Sequence, residues 1–192
     1  MKQIRRCEWA GPDPIYIAYH DNEWGRPLHD DTKLFEMLIL EGMQAGLAWI
    51  TVLKKREAFR EAFDGFDPHK VALYSDDKIE ELMGNKGIIR HRGKISAAIG
   101  NAKAFISIQV EYGSFDRFIW EYVGNNPIIN TANSLAELPA STPPSDRISK
   151  DLKKRGFKFV GSTIIYSFMQ AVGMVDDHMV WCPWHTRNRI NL

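Results

Sequence analysis

Glu41 falls inside LFEMLILEGMQAGLAWI, the most apolar run of the chain. With Asp31 to Leu40 helical, Leu34, Met37 and Leu38 lie on the stripe that continues to Glu41, at helix-face offsets. A carboxylate on such a stripe loses solvation, so it must be paired, hydrogen-bonded or protonated. Trp49 follows on the C-terminal side, and Trp9, Tyr16, Tyr19 and Trp24 lie upstream. One acid among many aromatics suggests a pocket for a flat, polar, cationic ligand. A core glutamate satisfied by an arginine or by backbone amides explains the same pattern, and spacing alone does not choose.

Two further constellations carry chemistry. Cys7, His20, His178 and Cys182 are zinc-type ligands, and four of them complete a tetrahedral site with no open position for catalytic water. The His178-x3-Cys182 spacing places both on one helical face, while Cys7-x12-His20 reads as a loop-like segment that wraps to meet them. Two buried free cysteines and unrelated histidines account for the same residues. The second constellation is LKKRGFKFVGSTIIYSFMQAVG, a basic helix end, a tight turn from Gly156 to Gly161, and an apolar helix starting at Ser162. Backbone amides at such a turn can hold a phosphate, with charge from Lys153, Lys154, Arg155 and Lys158. An ordinary glycine-terminated helical pair with solvated lysines is the alternative. IIRHRGK offers a weaker basic stretch of Arg90, Arg92 and Lys94.

The elements that must position these residues read as helices throughout, because apolar periodicity near 3.6 dominates and strict alternation is rare. Asp31 is expected to cap a helix to about Gly42, followed by one from Ala48 to Phe63. Short helices follow Asp67-Pro68 and Ser75, and longer ones run from Gly93 to Tyr112 and from Phe115 to Val123. Residues 125–144, rich in Asn, Ser, Thr and Pro, read as a connecting loop. Ser145 is expected to cap a helix to Arg155, and the last long helix spans Ser162 to Val172. The length of 192 residues suits one domain, 1–192, and the net charge of +1 leaves any nucleic-acid surface to a local patch. Lys2, Arg5 and Arg6 are followed by polar residues rather than an apolar leader, and no long apolar span occurs. The expectation is a cytoplasmic monomer with no membrane partner. Its two cysteines, in a reducing compartment, are not expected to form a disulfide.

The strings IAYHDNEWG, LEGMQAGLAWITVLKKREAFR, GIIRHRGKI, GNAKAF, STPPSD, LKKRGFKFVGSTIIYSFMQAVGMV and DH follow one another here as in the DNA-3-methyladenine glycosylase I family, which the chain resembles from Cys7 to about Cys182. The resemblance implies an all-α domain of the helix-hairpin-helix DNA glycosylase type, with that element at about 145–173. It also implies a structural Zn2+ joining segments 7–20 and 178–182 through Cys7, His20, His178 and Cys182. The implied activity is base-excision repair of alkylated double-stranded DNA. 3-Methyladenine, and more weakly 3-methylguanine, would be hydrolysed from the sugar, releasing the free base and leaving an abasic site without strand nicking. By the same resemblance Glu41 is the pocket carboxylate, and Trp9, Tyr16, Tyr19, Trp24 and Trp49 bind the base. Gly46 and Leu47 would fill the space left by the extruded nucleotide. Lys154, Arg155, Gly156, Lys158, Gly161 and Ser162 would belong to the phosphate-gripping hairpin.

Two departures stand out against the wider superfamily. Where a Gly-x-Gly-x-Lys hairpin is common, this chain has Phe159, Gly161 and Thr163, so the amine needed for a Schiff base is absent at that position. The superfamily's Val-Asp-x-His string reads Val175-Asp176-Asp177-His178, and the resembled family usually carries Asn at the Asp176 position. Asp176 therefore competes with Glu41 as the catalytic acid, or else orients the metal-binding segment. Two other function classes fit parts of the pattern: a reader of damaged DNA without turnover, and an aromatic cage for a small molecule unrelated to DNA.

Overall fold

The structure, a computed structural model, describes residues 5–189; the outermost residues of the expected 1–192 unit, Lys2 among them, lie outside the described residues. Among the described residues ten α-helices follow in chain order: α1 Pro14–Asn22, α2 Asp31–Gln44, α3 Trp49–Leu53, α4 Arg56–Ala62, α5 Pro68–Val71, α6 Asp76–Gly84, α7 Arg92–Tyr112, α8 Phe115–Trp120, α9 Pro143–Lys154 and α10 Ser162–Ala171. Short 3-10 turns add Glu8–Ala10, Asp64–Phe66, Glu121–Val123 and Leu135–Glu137. The expected all-α architecture holds apart from one small parallel ladder, β1 Ile128–Ile129 against β2 Val175–Asp176. Among the described residues no helix is long and apolar enough to cross a membrane.

Side-chain chemistry sets most helix starts. Asp13, Asp67, Ser75, His91 and Ser114 each accept from a first-turn amide, satisfying donors that a helix start leaves open. Gly113 and Gly124 end their elements in the left-handed conformation, as glycine after a helix commonly does. Two expected caps shift. Asp30, not Asp31, caps α2, and Asp31 instead accepts from Phe115 N, Asp116 N and Gln109 Nε2 at 2.7–2.9 Å. It thereby serves the start of α8, far along the chain. Thr142, not Ser145, caps α9, with Ser145 completing a reciprocal capping box.

The helix expected over Ala48 to Phe63 breaks at Lys54-Lys55 into α3 and α4. The break lets Lys55 Nζ reach the carbonyls of Lys86 and Gly87 at 3.0 and 3.1 Å. A greater surprise lies upstream. The segment from Cys7 to His20 is not a loop, because α1 carries Tyr16, Tyr19 and His20 on a helix opened by Asp13-Pro14. Nor do His178 and Cys182 share a helix: residues 177–189 run as turns.

α2 is the central element. Every residue from Leu34 to Met43 is buried, packed by α3, α7, α8 and α10. The apolar stripe read from the sequence is thus only one side of a helix that is buried all round along its middle. Phe35, Phe105, Phe115 and Phe168 fill the core around it. A smaller cluster gathers Cys7, Ala132, Met179, Cys182 and Trp184 where the two chain ends meet. The ladder and the bond from Val180 N to Ala132 O tie the 125–144 segment to this second cluster. Gly173 sits at the crossing, with φ +71° and a missing side chain whose Cβ would fall 2.1 Å from the Arg26 carbonyl carbon. Only glycine fits that approach.

Asp31→Ala removes an acceptor shared by three donors, two of them backbone amides. We expect a loss of about 1–3 kcal/mol in urea unfolding at unchanged m. A midpoint equal to wild type would show that water serves those donors equally well.

Candidate active site and metal group

Glu41 reaches the inner end of a cavity of about 210 Å³. Trp9, Tyr16, Tyr19, Trp24 and Trp49 line it with Gln44, Leu135, Leu138, Ser167 and Gln170. All five aromatics named from the sequence therefore meet at one place. They come from the first 3-10 turn, α1, the loop after α1, and the start of α3. Their rings cross at tilted or edge-on angles, with centroids 5.1 Å apart for Trp9–Tyr16, 4.7 Å for Trp9–Trp24 and 5.5 Å for Tyr19–Trp49. Aromatic pairs favour such angles over face-to-face stacking, so the walls hold their own shape. The volume is below the roughly 300–1,000 Å³ of sites for drug-sized ligands, which suits a small flat one.

The polar atoms of this cavity are arranged for a guest. Glu41 is 3% exposed, and its Oε2 is buried without a hydrogen-bond partner. The indole Nε1 atoms of Trp9 and Trp49 are likewise buried and unpaired. An orphaned buried donor or acceptor costs about 1–3 kcal/mol, so three around one cavity are a set of unmet bonds that a ligand can satisfy. Burial raises the Glu41 carboxyl to about 8, and the same desolvation, then the charge of Glu41, pushes the Tyr16 and Tyr19 hydroxyls upward. Among the described residues no arginine answers Glu41. Arg56 and Arg60 pair with Glu36, at 2.6 and 2.8 Å. That ion-pair group lines a larger cleft of about 650 Å³, which shares Tyr19 as a wall. There the charges pair with one another, whereas the smaller cavity holds the unmet atoms.

Among the lining residues that sequence reasoning missed, Ser167 and Gln170 were readable. They are polar residues one turn apart in the C-terminal, mostly apolar part of α10. Gln170 Nε2 donates to Asp177 at 2.7 Å, which fixes its amide. Leu135 and Leu138 were not readable, since their place depends on the β1–β2 ladder carrying the loop back over the cavity mouth.

Cys7, His20 and Cys182 meet in a buried group whose ligand atoms all lie within 4.8 Å of one another, a donor set that can hold a metal. The two histidines carry matching outer partners. His20 Nδ1 bonds Asp21 at 2.7 Å and His178 Nδ1 bonds Asp176 at 2.9 Å. Each ring thus keeps Nε2 for a ligand, the arrangement usual for metal-bound imidazole. His20 Nε2 lies 3.6 Å from Cys182 Sγ, and His178 Nε2 is buried with no partner. Beside Cys7 and His20 the Cys182 thiol is pulled below its ordinary value, while the neighbouring Cys182 and burial push the Cys7 thiol up. The group adjoins the cavity directly, because Trp9 and Trp24 pack on its imidazoles at 4.7–6.5 Å.

Asp176 stands apart from the cavity lining. It is buried, and besides His178 it accepts from Thr186 N at 2.7 Å and Thr186 Oγ1 at 2.5 Å. Burial acts to raise its pKa, yet the bonds from His178 and Thr186 carry it below the usual carboxylate range. Every oxygen it has is committed to holding the 176–186 segment.

The basic residues divide. Leu47 is 42% exposed beside Gly46, whose φ of +81° turns the chain after α2. Gly156 and Phe159 are left-handed at +92° and +57°, and Gly161 starts α10 with no side-chain cap, leaving first-turn amides open. Lys158 and Lys154 are exposed. Arg155 is turned back onto Glu111 at 2.6 Å and Tyr112 at 3.0 Å, and the Ser162 hydroxyl is held by Asp146 and Ser145. Lys94 leaves the surface altogether and is buried.

A methyladenine glycosylase family model matches residues 9–186. The DNA-3-methyladenine glycosylase 1 of Escherichia coli K12 is 55% identical over 97% of this chain and 100% of its own length. A crystal structure of 3-methyladenine DNA glycosylase I superposes with a TM-score of 0.92, at 56% identity over 94% of this chain and 100% of that one. A variant of 3-methyladenine DNA glycosylase I in complex with 3-methyladenine gives 0.91, at 39% identity over 94% and 97% of the two chains. With the whole cavity and two of the three residues of the metal group inside the matched span, this chain belongs to the methyladenine glycosylase family.

Proposed function

We propose that this chain is a base-excision DNA repair hydrolase. It removes 3-methyladenine, and more weakly 3-methylguanine, from alkylated double-stranded DNA, releasing the free base and leaving an abasic site. The observation that carries the reading is the unpaired Glu41 Oε2 inside an aromatic cavity of purine-compatible size. The relatives named above, one in complex with 3-methyladenine, support the substrate. A DNA substrate also fits the cytoplasmic site of action and monomeric state expected from the sequence.

A base inside a duplex is out of reach, so the nucleotide is extruded before chemistry, at a cost of a few kcal/mol. The open amides at the start of α10, with Lys154 and Lys158 beside them, hold backbone phosphates. Leu47 fills the vacated stack. Methylation at the 3-position makes the adenine cationic, which the aromatic walls favour by about 2 kcal/mol or more per desolvated contact. Glu41 accepts from the exocyclic amine, and its charge favours the methylated base over neutral adenine. The glycosidic bond of the cationic base is already weak. As it breaks, its electron pair leaves with the base, which becomes neutral. Water then bonds to the sugar C1′ and gives its proton to solvent.

No lysine lines the cavity among the described residues, and Thr163 stands where lyase relatives carry theirs. Both points fit hydrolysis without strand cleavage. We assign Glu41 to reading the base and Asp176 to orienting His178. Cys7, His20 and Cys182 would hold a structural Zn2+, with His178, whose Nε2 is buried and unpaired, as the fourth ligand expected from the sequence, leaving no open position. When bound it would clip Cys7, and with it Trp9, to the C-terminal segment.

Glu41→Gln should lower both 3-methyladenine excision and free-base binding by about tenfold or more while the helical spectrum is unchanged. Near-wild-type excision would remove Glu41 from the site. The pH behaviour has a definite sign. Its folded value of about 8 lies above the unfolded one, so Glu41 costs stability as pH rises through that range, on the order of a few kcal/mol. Thermal melts of Glu41→Gln should lose this slope. Because the carboxylate is the form that meets a cation, kcat/KM should fall below about pH 8, by up to about tenfold per unit.

Asp176→Asn is expected to keep excision within about threefold while lowering the melting temperature, since two Thr186 donors lose an acceptor. Complete loss of excision at an intact fold would return Asp176 to the chemistry. Stripping the metal with a chelator, or Cys182→Ser, should lower thermal stability and weaken free-base binding together through Trp9. Elemental analysis of pure, unchelated protein finding well under one equivalent of zinc would remove the metal from the account.

A further inference from the structure

GIIRHRGKI leads into the first turn of α7 and GNAKAF lies further along it, and neither lines the cavity. Their polar members Lys94 and Asn101 are nonetheless buried, at 7% and 4% exposure. They lie two helical turns apart, on the same face of α7. Lys94 Nζ donates to Met43 O at 2.9 Å and Ala45 O at 2.6 Å, at the C-terminal end of α2. Those carbonyls flank the turn that presents Gly46 and Leu47. Asn101 makes a two-bond clasp on the other element. Its Nδ2 donates to Lys158 O at 3.0 Å and its Oδ1 accepts from Lys158 N at 2.8 Å.

Between the two lies Phe159, left-handed at φ +57°, a conformation that side chains adopt at a cost. Its ring stands 6.0 Å from Lys94 Nζ and 6.3 Å from the His91 ring. A Cβ built on Gly42 would touch Phe159 Cβ at 3.4 Å, so the end of α2 packs directly on the 156–161 turn. Leu38, Gly42, Lys94, Asn101 and Phe159 surround one small cleft at this junction.

We propose that Lys94 and Asn101 are positioning residues that lock the Leu47 turn and the 156–161 turn onto α7 as one rigid DNA-engaging unit. The inference rests on the assignment of those turns to base extrusion and phosphate grip. Extrusion demands a fixed distance between the held phosphates and the wedge, and α7 supplies it as a ruler. Neither side chain reaches the base. A lysine ammonium suits the Met43 and Ala45 carbonyls because it offers several donors and its methylenes pack along the helix. An asparagine suits Lys158 because one planar amide presents a donor and an acceptor side by side.

The test compares Lys94→Met, which keeps the stem and loses the donors, with Asn101→Ala and the double variant. Three readouts are needed: free 3-methyladenine affinity, affinity for a duplex holding an abasic-site analogue, and single-turnover excision. Free-base affinity should stay within about twofold, while duplex affinity and excision fall by roughly 10- to 100-fold, as misplacement of about 1 Å allows. The double variant should be no worse than the poorer single one, since two residues serving one unit are not additive. Excision and duplex affinity within twofold of wild type, or a parallel loss of free-base affinity, would overturn the proposal. Leu47→Ala separates the two levels. If it is impaired while Lys94→Met is not, the locking role fails alone; if it too is unimpaired, the assignment of the turn fails.

Discussion

A buried carboxyl oxygen without a partner is costly, because its surroundings shut out the water that would solvate it. Glu41 is in that state because the middle of α2 is buried, while Arg56 and Arg60 pair with Glu36 instead. The cavity walls are aromatic, so no fixed cation completes the pair. The cost is carried by the packing of the large core around α2. Under the proposed function a cationic planar base reverses the cost, since it brings charge, hydrogen-bond donors and a face for stacking, and selectivity comes from the charge that a neutral base lacks.

The rest of the molecule serves to keep that enclosure intact. Trp9 belongs to a short 3-10 turn at the start of the chain, which has little helix of its own to anchor it. It is held by Cys7 on one side and by packing against Trp24 and His20 on the other. The imidazoles are in turn oriented by Asp21 and Asp176. A carboxylate, a histidine, a metal-type donor set and an aromatic wall thus form one chain of support. Asp176 becomes intelligible within it, because both its carboxylate oxygens accept bonds from the frame, at His178 and Thr186.

The same logic governs the exposed turns. The chain reverses at Gly46 and Gly156 without strain, but Phe159 holds a left-handed backbone that its ring must compensate by packing. Lys94 and Asn101 provide the polar half of that packing from α7. Stored strain at a turn is stable only when neighbours over-determine it, and α7 is long enough to do so from one face. A basic run in the sequence therefore separates into exposed lysines, an internally paired Arg155 and an inward Lys94, each with a different physical task.

Helix starts and stops were largely legible, because a capping Asp or Ser and a terminal Gly act within a few residues. Glu41, the aromatic set and the Cys and His donors were legible as residue types whose burial or pairing demands an explanation. The fold changed their neighbours rather than their identities. His178 and Cys182 are joined by turns, Asp31 caps a distant helix, and Leu135 and Leu138 reach the cavity from what read as a plain loop. These differences share a cause. Local patterns report on dihedrals and on which face is apolar, both settled within one or two helical turns. Which orphaned donor meets which distant acceptor is settled only when the whole chain packs, and the sequence has no short-range signal for it. The sequence by itself determined the elements and the chemical inventory; tertiary structure decided that Glu41 is left unanswered, because only the packed chain sets which groups come within its reach.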